Sequence, residues 1–236
     1  VTTPPTAPSP ASGETPVEAT TGTPLPARVL HIGHKEYGAA LELQHQMVAA
    51  RQRDEIPDTL LLVEHPHVIT RGRGTHDENL LATGDVPVFE IERGGDVTYH
   101  GPGQLVGYPI LQLRPGERDL HRYLRMLEEG LIRAVGELGL PAGRREAYTG
   151  VWTVTEPQAK LASIGIAVKR WVTMHGFAIN VATDLGRFAA INPCGLDATM
   201  MTSVSAALGR PVTLDQVAQP FVRHFGALMN RVFTSA

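Results

Sequence analysis

The only thiol of this 236-residue chain, Cys194, stands in Asn192-Pro193-Cys194-Gly195-Leu196 rather than in an apolar run. Free cysteines are most often small buried core residues. Here the flanking Pro193 and Gly195 shape an exposed backbone whose N–H groups suit an oxyanion. A thiol becomes a strong nucleophile as its thiolate, and an unperturbed cysteine with a pKa of about 8.5 is only a few per cent ionised at pH 7. Lys160 precedes the apolar stretch Leu161-Ala162-Ser163-Ile164-Gly165. A lysine at a strand start is usually a solvated charge; the other reading turns it toward the core. His175 opens His175-Gly176-Phe177-Ala178-Ile179-Asn180; alone, such a histidine is more often hydrogen-bonded structure than catalyst.

A third cluster is Arg93-Gly94-Gly95-Asp96-Val97-Thr98-Tyr99-His100-Gly101-Pro102-Gly103-Gln104. Its four glycines and one proline forbid a regular helix. Glycine admits positive φ and close approach of a ligand, so the loop reads as a binding wall or as a tight turn between strands. Neither G-x-G-x-x-G nor G-x-x-x-x-G-K-[ST] occurs in it, so it is no nucleotide fingerprint. His65-x-His67 follows Glu64, but H-x-H occurs often by chance, no H-E-x-x-H accompanies it, and the expectation is no metal. G-x-S-x-G is absent, which argues against a serine hydrolase.

Alternating and helical periods supply the elements that must carry these groups. Strands are expected at Ala27 to Ile32, Leu60 to Val63, Val86 to Ile91 (an edge, because of Pro87), Gly150 to Val154, Leu161 to Val168 and within Trp171 to Val181. Glu36 to Arg53 places Ala40, Leu43, Met47 and Ala50 on one helical face. Asp119 to Leu140 repeats Leu124, Leu127, Leu131, Val135 and Leu138. Thr202-Ser203 caps a short helix ending at Gly209. A last helix from Thr213 carries Val217, Phe221, Phe225, Leu228 and Val232, with Pro220 marking a kink or its true start. Strands and helices mix without regular βαβ alternation, which favours an α+β fold.

Hydrophobic residues make up 42% and charged residues 19%, enough for a packed core. The net charge of −3 disfavours a whole-chain nucleic-acid binder. One cysteine excludes an intramolecular disulfide and a cysteine-rich zinc module. No apolar stretch nears the roughly 20 residues of a membrane span. The first residues lack a basic-then-apolar leader, so the expectation is a cytoplasmic protein with no membrane contact. Residues 1–26, rich in Pro, Thr, Ala and Ser, read as a disordered tail, and residues 27–236 as one catalytic domain.

Together the clusters resemble the lipoate-biosynthesis octanoyltransferases, the LipB family. The likeness rests on Arg93-Gly94-Gly95-(x)-Val97-Thr98-Tyr99-His100-Gly101-Pro102-Gly103-Gln104-Leu105-Val106-Gly107-Tyr108-Pro109. It continues in Lys160-(x)-Ala162-Ser163-Ile164-Gly165, His175-Gly176-Phe177-Ala178-(x)-Asn180 and Pro193-Cys194-Gly195, with Glu64-His65-Pro66 and Thr70-Arg71-Gly72-Arg73 in similar places. It runs from about Arg28 to the C-terminus.

The resemblance implies a biotin/lipoate ligase-like α+β fold, a mixed sheet flanked by helices. It implies transfer of an octanoyl group from acyl carrier protein to a lysine of lipoyl domains, those of 2-oxoacid dehydrogenases and of the glycine cleavage H protein. Cys194 would carry the acyl group as a thioester, with Lys160 lowering its pKa. The implied substrate wall is Arg93, Gly94, Gly95, Asp96, Val97, Thr98, Tyr99 and His100, with Ser163, Ile164, Gly165, Gly176, Phe177 and Ala178. No cofactor is expected beyond the phosphopantetheine that carries the octanoate, and the family implies a monomer. Arg144-Arg145, Lys169-Arg170 and Arg122 with Arg125 are local basic pairs, either solvated charges or a dock for an acidic carrier. The competing readings are an ATP-dependent ligase of the same fold, a non-catalytic binding protein and a cysteine hydrolase.

Overall fold

A computed structural model describes residues 17–192 and 198–235. Eight strands form one mixed sheet. In chain order they are β1 (Leu25–His34), β2 (Asp58–Glu64), β6 (Gln104–Ile110), β7 (Ala142–Arg145), β8 (Tyr148–Thr153), β9 (Lys160–Lys169), β10 (Val172–Asn180) and β11 (Arg231–Ser235). Their spatial order is β11-β1-β2-β6-β10-β9-β8-β7. The pairs β11–β1 and β1–β2 are parallel and the rest antiparallel. A smaller sheet joins β3 (Val68–Arg71) to β4 (Val88–Glu90) and β5 (Thr98–His100), with β4 at its edge. The helices are α1 (Tyr37–Gln52), α2 (Leu120–Glu137), α3 (Val204–Leu208) and α4 (Leu214–Met229). This is the expected α+β arrangement.

Alternation along β2 shows how the layers stack. Leu60 and Leu62 pack with α2 and α4, whereas Leu61 and Val63 pack with α1. Successive side chains of a strand point to opposite faces, so β2 is buried on both and reads as continuous apolar text. On the α2–α4 side, Phe221 stacks on Phe225 with centroids 5.2 Å apart. Gly130 of α2 lets them in: a Cβ there would stand 3.1 Å from the Phe221 ring.

Several expectations change. β1 starts two residues before Ala27, and Val17 packs against the core. The amides of Thr20 and Leu25 donate to Leu228 O and Asn230 O, carbonyls at the end of α4 that a helix leaves unpaired. Residues 17–26 are therefore tied to the domain, while 1–16 lie outside the described residues. Val232 is not helical. Asn230 ends α4 at φ 53°, and the chain turns into β11 with Val232 exposed. Pro220 lies inside α4, whose start is the Thr213 cap. The buried stripe of α1 runs Tyr37, Ala40, Gln44 and Val48, not Ala40 to Ala50. Gln44 is selected because its Oε1 accepts the His175 amide at 2.9 Å.

One buried ionic cluster pins the C-terminal strand. The fully buried Arg231 guanidinium donates to Asp58 Oδ2 at 2.9 Å, Glu117 Oε2 at 2.9 Å and Met229 O at 2.6 Å. Removing one partner of such a set strands the other charges at a cost of about 3–5 kcal/mol. Arg231→Met is expected to lose stability on that scale in urea unfolding; an unchanged midpoint would refute the pin.

Candidate functional site

A cavity of about 400 Å³ opens between the smaller sheet and the β9–β10 pair, a usual size for a small-molecule pocket. One wall is the 93–98 loop with His100; the floor is Ser163 to Ile166 and His175 to Ala178. Leu124 of α2 and the hairpin residues Ala147, Tyr148 and Thr149 form a further side. The glycines bring these parts close. Gly94 N–H donates to Ile166 O at 2.9 Å. A Cβ on Gly165 would stand 2.8 Å from Gly94 O and 2.9 Å from Arg93 Cδ. A Cβ on Gly176 would meet Gly107 O at 2.2 Å.

Arg93 holds the loop rather than presenting its charge as a bare wall. Its guanidinium donates to Asp96 O at 2.7 Å, and to Thr70 O and Oγ1 at 2.9 Å each. Asp96 Oδ1 accepts from the neighbouring Val97 N–H at 2.6 Å, and Oδ2 accepts from Asn79 Nδ2 at 2.5 Å. Thr70, His100, Gln104 and Asn180 continue as a buried chain. His100 Nδ1 faces Gln104 Oε1 at 2.8 Å, Gln104 Nε2 donates to Asn180 Oδ1 at 2.9 Å, and Asn180 Nδ2 donates to Thr202 O at 3.1 Å. Gln104 Oε1 can only accept, so His100 carries its proton on Nδ1.

Tyr99 is placed apart from the other expected wall residues. It lies on β5 between Thr98 and His100, and strand alternation sends it away from the cavity. Its hydroxyl is 2.6 Å from His67 Nδ1, and its ring meets Phe188 edge-on. The other thirteen described residues of the expected wall all line the cavity.

Lys160 is not a solvated charge. It is 3% exposed, lines the cavity and places Nζ 5.5 Å from the centre of the Trp152 ring. The backbone sets it there. Gly150 takes φ 129°, and a Cβ on it would stand 2.3 Å from Ala162 O and 3.0 Å from Lys160 Cε. Glu128, buried on α2, accepts from Gly150 N–H at 3.0 Å.

Cys194 lies outside the described residues; both flanks of its segment are placed. Asn192 N–H donates to Asn79 O at 2.9 Å, and on the far side Met201 pairs with Lys160 while Thr202 N–H donates to Lys160 O at 3.0 Å.

Sequence reasoning named His175 but kept it out of the wall, and it missed Tyr37 and Tyr108. His175 has φ 57°, is 2% exposed and lines the cavity. Burial pushes His175 down to about 4, against the attraction of Glu92, and His100 down to about 3. Both rings are neutral at pH 7. A folded pKa below that of the unfolded chain means stability is intact above about 6.5 and falls as pH drops toward 4 and 3. The melting temperature is expected to decline through that window, less steeply for His175→Gln; equal slopes would contradict the assignment.

His65 and His67 do not form a metal pair. Lys35 O takes the His65 Nδ1 proton at 2.7 Å and Tyr108 donates to Nε2 at 2.8 Å. Among the described residues no group of three His, Cys, Asp or Glu is arranged to hold a metal. Of the basic pairs, Arg144 and Arg125 are bound to Glu128 and Lys169 to Glu92, so these are not free docking charges. Among the described residues no helix is long and apolar enough to cross a membrane.

Residues 36–226 match the Lipoyl protein ligase A/B catalytic domain family. An octanoyltransferase of Geobacter metallireducens is 52% identical over 199 residues, covering 84% of this chain and 92% of the relative. The chain belongs to the octanoyltransferase family. An octanoyltransferase of Solibacter usitatus is 50% identical over 205 residues, covering 84% of the chain and 91% of the relative. Family membership makes the protein an acyltransferase. The fold itself matches lipoate-protein ligase A bound with ATP, at TM-score 0.72 and 17% identity over 90% of this chain and 89% of that one. A bipartite lipoate protein ligase of Thermoplasma acidophilum gives TM-score 0.71 at 16% identity, covering 90% and 87%.

Proposed function

We propose that this octanoyltransferase moves an octanoyl group from the phosphopantetheine thioester of acyl carrier protein to a lipoyl-domain lysine, through a thioester on Cys194, in lipoate biosynthesis. The observation that carries the reading is the buried Lys160 on an acyl-sized cavity, paired with Met201 just beyond the Cys194 segment.

In the first step the Cys194 thiolate attacks the donor carbonyl, the C–S bond to pantetheine breaks, and the departing sulfur takes the Lys160 proton and leaves as the thiol. Both sides of the exchange are thioesters, so little driving force is needed; what is needed is the thiolate. The Lys160 ammonium favours it, and two units of pKa correspond to about 2.7 kcal/mol. In the second step the acceptor amine attacks the acyl-enzyme, the C–S bond breaks and Cys194 leaves as thiolate. A free lysine amine is well under 1% neutral at pH 7. Once the thiolate has become a thioester, Lys160 has lost that counter-charge, and burial then favours its neutral form, which accepts the proton the amine gives up. The acyl chain lies against Val97, Ile164 and Phe177, each buried methylene contributing about 0.8 kcal/mol. The protein needs no cofactor of its own for either step and works as a cytoplasmic monomer.

The test is intact mass after incubation with octanoyl-carrier, with and without a lipoyl domain. The expected result is an octanoyl adduct on Cys194 that passes to the lipoyl domain without ATP. No adduct would overturn the proposal. Transfer from free octanoate only with ATP would make the protein a ligase, and release of octanoate without acceptor would make it a hydrolase.

A further inference from the structure

Arg145 differs from the cations around it. Arg125 and Arg144 bind Glu128, Arg133 binds Glu129, and Lys169 binds Glu92. Among the described residues the Arg145 side chain has no carboxylate or hydrogen-bond partner. It is held by two aromatic faces instead: its guanidinium carbon stands 5.0 Å from the centre of Tyr148 and 4.9 Å from that of Trp152. Contact with two rings tilted 59° to each other restricts the guanidinium without using its N–H groups, which can still meet a carboxylate in bidentate fashion.

Its place narrows the partner. Arg145 ends β7, the edge strand of the large sheet, and pairs in register with Tyr148, which lines the cavity. Lys160 Nζ is 5.5 Å from the same Trp152 ring. The two cations are thus separated by no more than the sum of their distances to one indole. The phosphodiester of a pantetheine arm lies two amide units from its thioester, beyond that spacing. A lysine bringing its amine to the Lys160 end of the cavity has sequence neighbours about 3.8 Å apart at Cα, and their side chains fall within it.

We infer that Arg145 is the recognition residue for an acidic side chain adjacent to the acceptor lysine on the lipoyl domain. The inference rests on the transfer reading above and adds which half-reaction the charge serves. The pair guides the acceptor amine to the cavity; the donor half-reaction does not use it.

The experiment compares wild type with Arg145→Gln, each checked for an unchanged melting temperature. A lipoyl domain is titrated against the unacylated protein by calorimetry, and the two half-reactions are followed by mass. Arg145→Gln is expected to form the octanoyl adduct within twofold of the wild-type rate. It should need about tenfold more lipoyl domain for half-saturation and lose the salt dependence of that step. Neutralising the acidic residue beside the target lysine should cost the same with wild type and add nothing to Arg145→Gln, the signature of a coupled pair. Equal titrations for the two proteins, independent losses, or a defect confined to the carrier step would each overturn the inference. The titration reads the Arg145 contact whether or not an adduct forms, so failure of the transfer reading shows separately, as a wild type that never takes up octanoate.

Discussion

Lys160→Met is expected to slow both half-reactions by about 10²–10⁴-fold, the range over which a positioned acid–base group acts. The substitution keeps the length of the side chain against Trp152 and Gly150 and removes its charge together with the proton acceptor of the proposed mechanism. Single-turnover mass measurements separate the steps. Acyl-enzyme formation should recover as pH rises, because hydroxide then supplies the thiolate that Lys160 no longer favours. Transfer to the acceptor should recover less, since the acceptor amine still lacks a local base. Cys194→Ala should show no adduct at any pH. An octanoyl adduct on that variant, or wild-type rates in both steps for Lys160→Met, would remove the dyad from the mechanism.

Gly165→Val is the second large effect. The position where its Cβ would sit is 2.8 Å from Gly94 O, a backbone atom, and 2.9 Å from Arg93 Cδ. Arg93 cannot swing aside without abandoning Thr70 and Asp96. The branched side chain must therefore either fill the cavity or lift the 93–95 loop from Ile166. Loading from octanoyl-carrier is expected to fall more than about 100-fold, because several methylenes at about 0.8 kcal/mol each lose their contacts. A two- or four-carbon acyl carrier should lose far less. Equal losses for short and long chains would mean that the loop, and not the slot, had been damaged.

The large features of the molecule were legible because each rests on a local rule. Leu60 to Val63 reads as doubly buried from its unbroken apolar run, and α2 from its period. The glycine loop reads as a wall because so many small residues have no other use. What escaped the sequence rests on contacts between distant segments. Gln44 is buried at 0% because a strand amide 131 positions away needs an acceptor, and no helical period marks that. The glycine-rich motif reads as a loop, whereas residues 98–100 are a strand whose alternation turns the Tyr99 side chain away from the cavity. Val232 continued the α4 period by chance, although Asn230 had already ended the helix. Spacing alone leaves Lys160 either solvated or turned toward the core; Trp152 and Gly150, both upstream, decide it by enclosing the side chain.

The sheet order also governs how the enzyme can be handled. β11 and β7 are its two edges, seven strand spacings apart, roughly 33 Å along the sheet at about 4.8 Å each. A tether joined beyond Ser235 therefore leaves from the rim opposite Arg145. Enzyme captured on a sensor chip through such a tether would keep the β7 rim and Arg145 clear of the surface, so binding to that rim could be timed on immobilised molecules.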